Sequence, residues 1–415
     1  MPVRTIAAIF LFVYAGMMLG RAPKLRLDRT GIALLGAIAV MVTGGSTLEE
    51  ARRAVDIPTL ALLFALMVVS AQLRLGGFYA WVAATITGAS VAPPVLLGLL
   101  VAGVGALAAV FSNDIVCLAT APVLIESCRR RGLDPLPFLL ALACAANVGS
   151  AATLIGNPQN MLVGQALGLS FGGYMLEAAL PTTLGLLATW AVIARQSRGR
   201  WSSQGAPLHA DPRAGAEPMP TAALDRWQTA KGLAVAIVLM GAFLLAPWPR
   251  ELVALAGAGL LLTSRKLHSR DMLGLVDWQL LVLFVGLFVV NDAMARTGLP
   301  AALVAWLQAE GADLTLPGPL FVATVLLSNA VSNVPAVMLL LPLATHEVAG
   351  PLLALVSTLS GNLLIVGSIA NIIVVDAAAR HGIEIDWRRH ARTGVPVTLA
   401  TLALAAAYLA LRSMA

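Results

Sequence analysis

The chain has 415 residues, of which 59% are hydrophobic and only 12% charged, whereas soluble domains carry about a quarter charged residues. With a mean hydropathy of +0.86, a soluble enzyme is all but excluded and the class is a membrane protein. The net charge of +6 does not point to nucleic acid: the arginines sit in short loops, where positive charge sets orientation, and no basic stripe is interleaved with aromatics.

In chain order, apolar segments that can span run over 3–20, 30–44, 57–75, 137–168, 174–195, 230–247, 251–264, 278–295, 351–380 and 393–411. Several fall short of the ~20 residues of a perpendicular helix, which tilt and short helices accommodate. The first could pass for a signal peptide, but no small-x-small cleavage site leads into a polar domain, so it reads as a span. Two more apolar regions are interrupted: 95–127 at Ser112-Asn113-Asp114, and 318–349 around Ser332-Asn333-Val334-Pro335. Each reads as a re-entrant hairpin. The loop charges form five groups: Arg21, Lys24, Arg26 and Arg29; Arg129, Arg130 and Arg131; Arg195, Arg198, Arg200, Arg213, Arg226 and Lys231; Arg265, Lys266 and Arg270; and Arg388, Arg389 and Arg392. Placing all five in the cytoplasm predicts a bacterial inner-membrane protein with ten spans, both termini outside, and hairpins entering from opposite sides.

The two halves echo each other. Val55-Asp56 and Val276-Asp277 are offset by 221, Asn113 and Pro122 match Asn333 and Pro342 at 220, and Gly156 and Asn160 match Gly367 and Asn371 at 211. Five spans per half is an odd number, so the second copy must be inverted. The expected fold is therefore an all-α polytopic membrane protein, an inverted repeat of five spans each with two opposed re-entrant hairpins and two broken helices. Residues 1–195 form the first repeat with a cytoplasmic-side hairpin at 95–127. Residues 196–229 form a cytoplasmic connector, and 230–415 the second repeat with an external-side hairpin at 318–349.

Breaks in helices at membrane depth survive only where protein or a wet cavity satisfies the freed backbone groups. Four such breaks supply the candidate substrate- or ion-binding residues: Ser112, Asn113 and Asp114; Gly156, Asn157, Gln159 and Asn160; Ser332 and Asn333; Gly367, Ser368 and Asn371. Asn147, Thr153 and Asn362 lie close enough to complete a site. Helix N-termini at the breaks suit an anion, and C-terminal carbonyls with Asn and Ser oxygens suit a hard cation such as sodium, near Asn113, Asp114 and Gly156. Such residues also cap and pack ordinary membrane helices, but four breaks at corresponding positions weigh against packing alone.

Asp114 differs in kind, since a carboxylate at bilayer depth costs roughly 3 kcal/mol. It is the candidate for the coupling proton or cation, against a protonated cap or a salt bridge to an unseen arginine. The second half has Val334 at the matching place, so the two ion sites should differ. Glu126, Glu177, Asp292 and Asp376 lie near span ends, where interfacial charge is common. Three cysteines, Cys117, Cys128 and Cys144, read as reduced thiols. His346-Glu347 opens like a zinc-peptidase motif, but Gly350 stands where the second ligand belongs, so no structural metal site is expected. There is no nucleotide-binding motif, so energy must come from a gradient or a separate ATPase partner. No cofactor beyond a coupling sodium or proton is implied, nor is any hydrolase arrangement at depth.

At these four breaks the chain resembles the ion transporter superfamily of arsenite/antimonite permeases, divalent anion:sodium symporters, citrate-transporter-like permeases and sodium/proton antiporters. The segment from Phe111 through Asp114 to Pro122 is similar to the Asn-Asp hairpin of arsenite permeases and the Ser-Asn-Thr hairpin of dicarboxylate symporters. The stretch 147–160, NVGSAATLIGNPQN, resembles one in antiporters and related anion permeases that often read Asp-Pro-Pro-Asn where this chain has Asn157-Pro158-Gln159-Asn160. Ser332-Asn333-Val334-Pro335 and 392–412 again look like arsenite permeases. The resemblance implies opposed hairpins, a midplane site and often a homodimer with elevator-like movement. Asp114 and Val334 replace the third residue of the Ser-Asn-Thr triplet, which argues against a two-sodium dicarboxylate arrangement. Asn157 in place of an acid argues against sodium/proton exchange. The expected function is secondary active transport of a small inorganic or carboxylate anion coupled to protons or sodium. The alternatives are arsenite or antimonite efflux, sodium/proton antiport, and an ion channel.

Overall fold

The structure, a computed structural model, describes residues 3–20, 26–202 and 224–414. Arg21, Lys24, Arg213 and most of the expected connector lie outside the described residues. Within them every regular element is a helix. The first half holds α1 (Val3–Leu19), α2 (Arg29–Val42), α3 (Leu48–Ala54), α4 (Ile57–Leu75), α5 (Phe78–Thr87), α6 (Pro93–Val110), α7 (Asn113–Arg130), α8 (Pro135–Ser150), α9 (Pro158–Ala166) and α10 (Phe171–Gln196). The second holds α11 (Arg226–Leu245), α12 (Arg250–Leu262), α13 (Ser269–Leu273), α14 (Trp278–Arg296), α15 (Leu299–Ala309), α16 (Pro317–Val331), α17 (Asn333–Leu340), α18 (Ala349–Ser360), α19 (Ile369–Arg380) and α20 (Trp387–Met414).

Six helices, α4, α6, α10, α11, α14 and α20, are long and apolar enough to cross a membrane. The expected spans 137–168 and 351–380 are each two helices, α8 with α9 and α18 with α19, separated by unwound chain. The interrupted regions 95–127 and 318–349 become α6 with α7 and α16 with α17; the latter pair ends in a 3₁₀ turn at Leu341–Leu343, several residues before α18.

The repeated residues act locally as start signals. Asp56 caps α4 by accepting from Thr59 N at 3.1 Å, and Asp277 caps α14 by accepting from Leu280 N at 2.9 Å. Each supplies an acceptor that the first turn of a helix lacks. Gly77 and Gly298 both adopt φ 76°, a left-handed turn that glycine makes without steric cost, and each opens the next short helix, α5 or α15.

Packing sorts the helices into two groups. α2 lies along α14 with α1 beside them, and α4 packs against α11 and α12. Elsewhere α6 lies on α8, α7 on α5, α8 and α19, α16 on α17 and α18, and α10 crosses α20. All four breaks belong to this second group. The contact of α6 with α8 is backbone on backbone: a Cβ on Gly149 would lie 2.4 Å from the Cα of Gly105. Small residues permit such approach, which gives lipid-embedded helices their dispersion contact.

Gly149→Ala is accordingly expected to destabilise the purified protein by at least the ~1–3 kcal/mol of an overpacked core site. Gly241→Ala, in α11 with open space around it, should stay within about 0.5 kcal/mol. Thermal unfolding in detergent or nanodiscs distinguishes the two.

Candidate substrate and ion site

The first break is short. α6 ends at Val110, Phe111 and Ser112 are extended, and α7 starts at Asn113, whose N–H donates to the Gly156 carbonyl at 3.4 Å. The second break, 151–157, contains that carbonyl. A side chain on Gly156 would lie 2.3 Å from Ser150 O and 2.8 Å from Ala108 O, so only glycine lets the unwound chain rest there. Asn157 then caps α9 by accepting from Asn160 N at 3.0 Å. At the third break the chain turns through Ser332 at φ 80°, ψ 160°. The fourth, 361–368, ends where Ser368 caps α19 by accepting from Ala370 N at 3.2 Å. Its glycines lie against the third: the Cβ position of Gly361 is 3.2 Å from Asn333 Nδ2, and that of Gly367 is 3.1 Å from Asn329 Oδ1.

Two side chains tie these stretches together. Asn147, in α8, accepts at Oδ1 from Asn113 Nδ2 (3.1 Å) and Ser368 Oγ (2.8 Å), and donates from Nδ2 to Asn362 Oδ1 (2.8 Å) and Asn371 Oδ1 (3.0 Å). Two donors and two acceptors exhaust what an amide can form. Thr358, in α18, accepts from Asn157 Nδ2 (3.1 Å) and Gln159 Nε2 (3.2 Å) and donates to Asn160 Oδ1 (3.1 Å). Positions 147 and 358 differ by 211, as do 157 and 368, and 160 and 371. Each central residue therefore bonds to the other half's capping pair. The freed carbonyls follow the same spacing. Asn160 Nδ2 donates to Thr153 O at 3.1 Å, and Asn371 Nδ2 to Leu364 O at 3.0 Å. Tyr174 of α10 donates to Ala151 O at 2.8 Å, and His390 Nε2 of α20 to Asn362 O at 3.0 Å.

The predicted residues thus come together, with differences of role. Asn157 and Ser368 are caps that restart helices, and Gln159, Asn160 and Asn371 lie in the first turns of α9 and α19. The unwound backbone itself lies upstream of them. Thr153 donates to Ala109 O, joining the first two breaks. Asp114 and Ser112 are half-buried; among the described residues no hydrogen bond reaches the Asp114 carboxylate. Around the third break, by contrast, Ser328 Oγ, Asn329 Oδ1 and Asn333 Oδ1 are buried without a partner. Thr358, Ser150, Tyr174, His390, Ser328 and Asn329 escaped the sequence reading. Only Thr358 carried a signal, since it lies 211 residues from Asn147.

Charge is sparse here. Among the described residues the fully buried polar side chains are hydroxyls and amides with His390, and no lysine or arginine. The other acids lie apart. Glu126, Asp292 and Asp376 pair with Arg130 (2.7 Å), Arg296 (3.0 Å) and Arg380 (2.6 Å) on their own helices, exposed pairs worth at most about 0.5 kcal/mol. Glu177 instead reaches Arg412 of α20 at 3.4 Å, and Thr393 donates to Gln196 at 2.9 Å between the same two helices. Positions 177 and 393 are offset by 216, as are 196 and 412.

Asn147→Ala strands four buried partners and is expected to cost at least about 2 kcal/mol, since each unmet group costs ~1–3 kcal/mol. Thr182→Val removes a buried hydroxyl that has no partner and should be neutral within about 0.5 kcal/mol. Ser332→Gly relieves a backbone conformation that side chains avoid and should gain about 1 kcal/mol. Equilibrium or thermal unfolding of the three variants checks all of these.

Residues 10–359 match the citrate transporter family, CitMHS. An uncharacterized transporter of Mycobacterium tuberculosis is 31% identical over 98% of each chain. The silicon efflux transporter LSI3 of Oryza sativa subsp. japonica is 29% identical over 92% of each. Among solved structures, the YdaH transporter of Alcanivorax borkumensis has a similar fold, with a TM-score of 0.55, 14% identity, and coverage of 99% of this chain and 98% of that one. The chain is a multi-pass membrane protein and belongs to the citrate transporter (CitMHS) family of transporters.

Proposed function

We propose that the protein is a secondary active transporter that moves a small anion, an inorganic oxyanion or a carboxylate, through the site at the four breaks, driven by a proton or sodium gradient. The observation that carries this reading is the exchange of hydrogen bonds between halves: Asn147 to Ser368 and Asn371, Thr358 to Asn157 and Asn160. Two inverted copies meeting across a pseudo-two-fold axis produce such reciprocal pairs. Gly185 against Thr401, offset by the same 216 as the pairs of α10 and α20, fits a crossing point on that axis. Transporters built this way bind solute where interrupted helices meet.

The starts of α7, α9, α17 and α19 bring partial positive charge to the site and suit an anion. The half-buried Asp114 carboxylate is the acceptor for the coupling proton or cation. The unpartnered oxygens of Ser328, Asn329 and Asn333 offer a second, unequal set of hard ligands, in keeping with Val334 standing opposite Asp114. A second reading has its own support. With no buried lysine or arginine among the described residues, the amide and hydroxyl lining also suits a small uncharged hydroxide such as arsenous or silicic acid, consistent with the silicon efflux relative.

Purified protein in liposomes with imposed proton or sodium gradients tests the proposal against arsenite, germanic acid, sulfate, phosphate and citrate. The expected result is saturable, gradient-dependent flux of one class. Asp114→Asn should abolish accumulation against a gradient and leave folding intact. Flux that neither saturates nor follows the ion gradient would indicate a channel instead, and retained coupling in Asp114→Asn would remove that residue's role.

A further inference from the structure

The two halves hold equivalent unwound carbonyls by different chemistry. In the first, the Tyr174 hydroxyl donates to Ala151 O at 2.8 Å and accepts from Asn160 Nδ2 at 3.3 Å. In the second, His390 Nε2 donates to Asn362 O at 3.0 Å. The contact is built for close approach: a Cβ on Gly394, one turn along α20, would lie 2.4 Å from Asn362 O and 2.9 Å from His390 Nε2. His390 is only 2% exposed. Its own N–H closes the first turn of α20 onto Asp386 O at 3.0 Å. The neighbouring cations are engaged elsewhere: Arg389 donates to Glu384 O at 2.6 Å, and the Arg388 guanidinium lies over the Trp387 ring at 5.1 Å. The imidazole is thus committed to one carbonyl.

That carbonyl belongs to the residue whose side chain meets Asn147. Asn362 Oδ1 accepts from Asn147 Nδ2, and Asn362 Nδ2 donates to Cys144 O at 3.4 Å. A rotation of the 362 peptide would therefore carry the Asn147 amide, and with it the ties to Asn113, Ser368 and Asn371. We propose that His390 is a positioning residue of the solute site. It fixes the Asn362 carbonyl as the second-half counterpart of Tyr174, and so sets the amide that joins the first and fourth breaks. The role rests on the four breaks being the transport site, but its test does not need a solute.

Backbone amide hydrogen exchange in nanodiscs, without solute, reads the two unwound stretches separately. His390→Ala should speed exchange over 361–368 at least fivefold and leave 151–157 within twofold. Tyr174→Phe should do the reverse, and His390→Gln, which keeps a side-chain N–H at similar reach, should restore wild-type exchange. Equal acceleration of both stretches, or none at 361–368, overturns the proposal. So does failure of His390→Gln to restore it. Should His390→Ala not fold, ¹⁵N-histidine spectra of the wild type decide: a proton on Nε2 of His390 supports the role, and a neutral ring protonated only on Nδ1 removes it. A negative result here leaves the transport reading standing, and absence of flux in liposomes would leave the exchange result standing.

Discussion

A peptide group freed from a helix inside hydrocarbon has no water to turn to, and the rest of this structure is arranged around that constraint. Two stretches, 151–157 and 361–368, leave the helix in the middle of otherwise apolar chain. The carbonyls of Thr153, Leu364, Ala151 and Asn362 are met by the side chains of Asn160, Asn371, Tyr174 and His390, none of them a lysine or arginine. Amides dominate because one amide both donates and accepts, so a few residues can close a network without burying charge. Asn147 makes four such bonds, three of them to the opposite half, and Thr358 makes three, all to the opposite half. Removing Asn147 would leave unmet polar groups in both halves, and removing Thr358 in the first, which explains why so hydrophobic a chain concentrates its asparagines here.

The same arrangement gives the site a polarity that a continuous helix bundle lacks. Four helices begin at these breaks, and their first-turn N–H groups, which lack intrahelical partners, are met in part by Gly156 O, Asn157 Oδ1 and Ser368 Oγ. The halves match in geometry and differ in chemistry. Asp114 stands against Val334, Tyr174 against His390, and the Glu177–Arg412 ion pair against the neutral Thr393–Gln196 pair.

Much of this was legible in the sequence. Membrane class, the positions of the four breaks and ten of the polar residues at them, with two glycines, followed from apolar runs interrupted by Asn, Ser, Gly and Pro. What failed was finer. The motif residues Asn157, Asn160, Ser368 and Asn371 were read as the unwound stretch, when they are the caps and first turns that restart the helix after it. Capping residues are conspicuous, whereas Ala151 to Ile155 and Leu363 to Val366 look like ordinary apolar helix. Thr358 was invisible as a type, since threonine inside a membrane helix usually bonds back to its own turn; only the spacing of 211 from Asn147 marks it. His390 sits three residues into α20, and nothing local in the sequence reveals that α20 starts against an unwound carbonyl. The left-handed backbone of Ser332 left no trace, since glycine is the residue that usually announces it.

The central claim is that unwound chain from both halves encloses a single place for solute, laced by Asn147 and Thr358. A density map of the protein in nanodiscs, saturated with whichever compound liposome flux selects, measures this most directly. The account predicts solute density bounded by 111–114, 156–160, 329–333 and 367–371, with the Asn147 amide in hydrogen-bonding reach of Ser368 and Asn371. Unbroken helices through 151–157 and 361–368, or solute bound between α2 and α14 and away from every break, would contradict it.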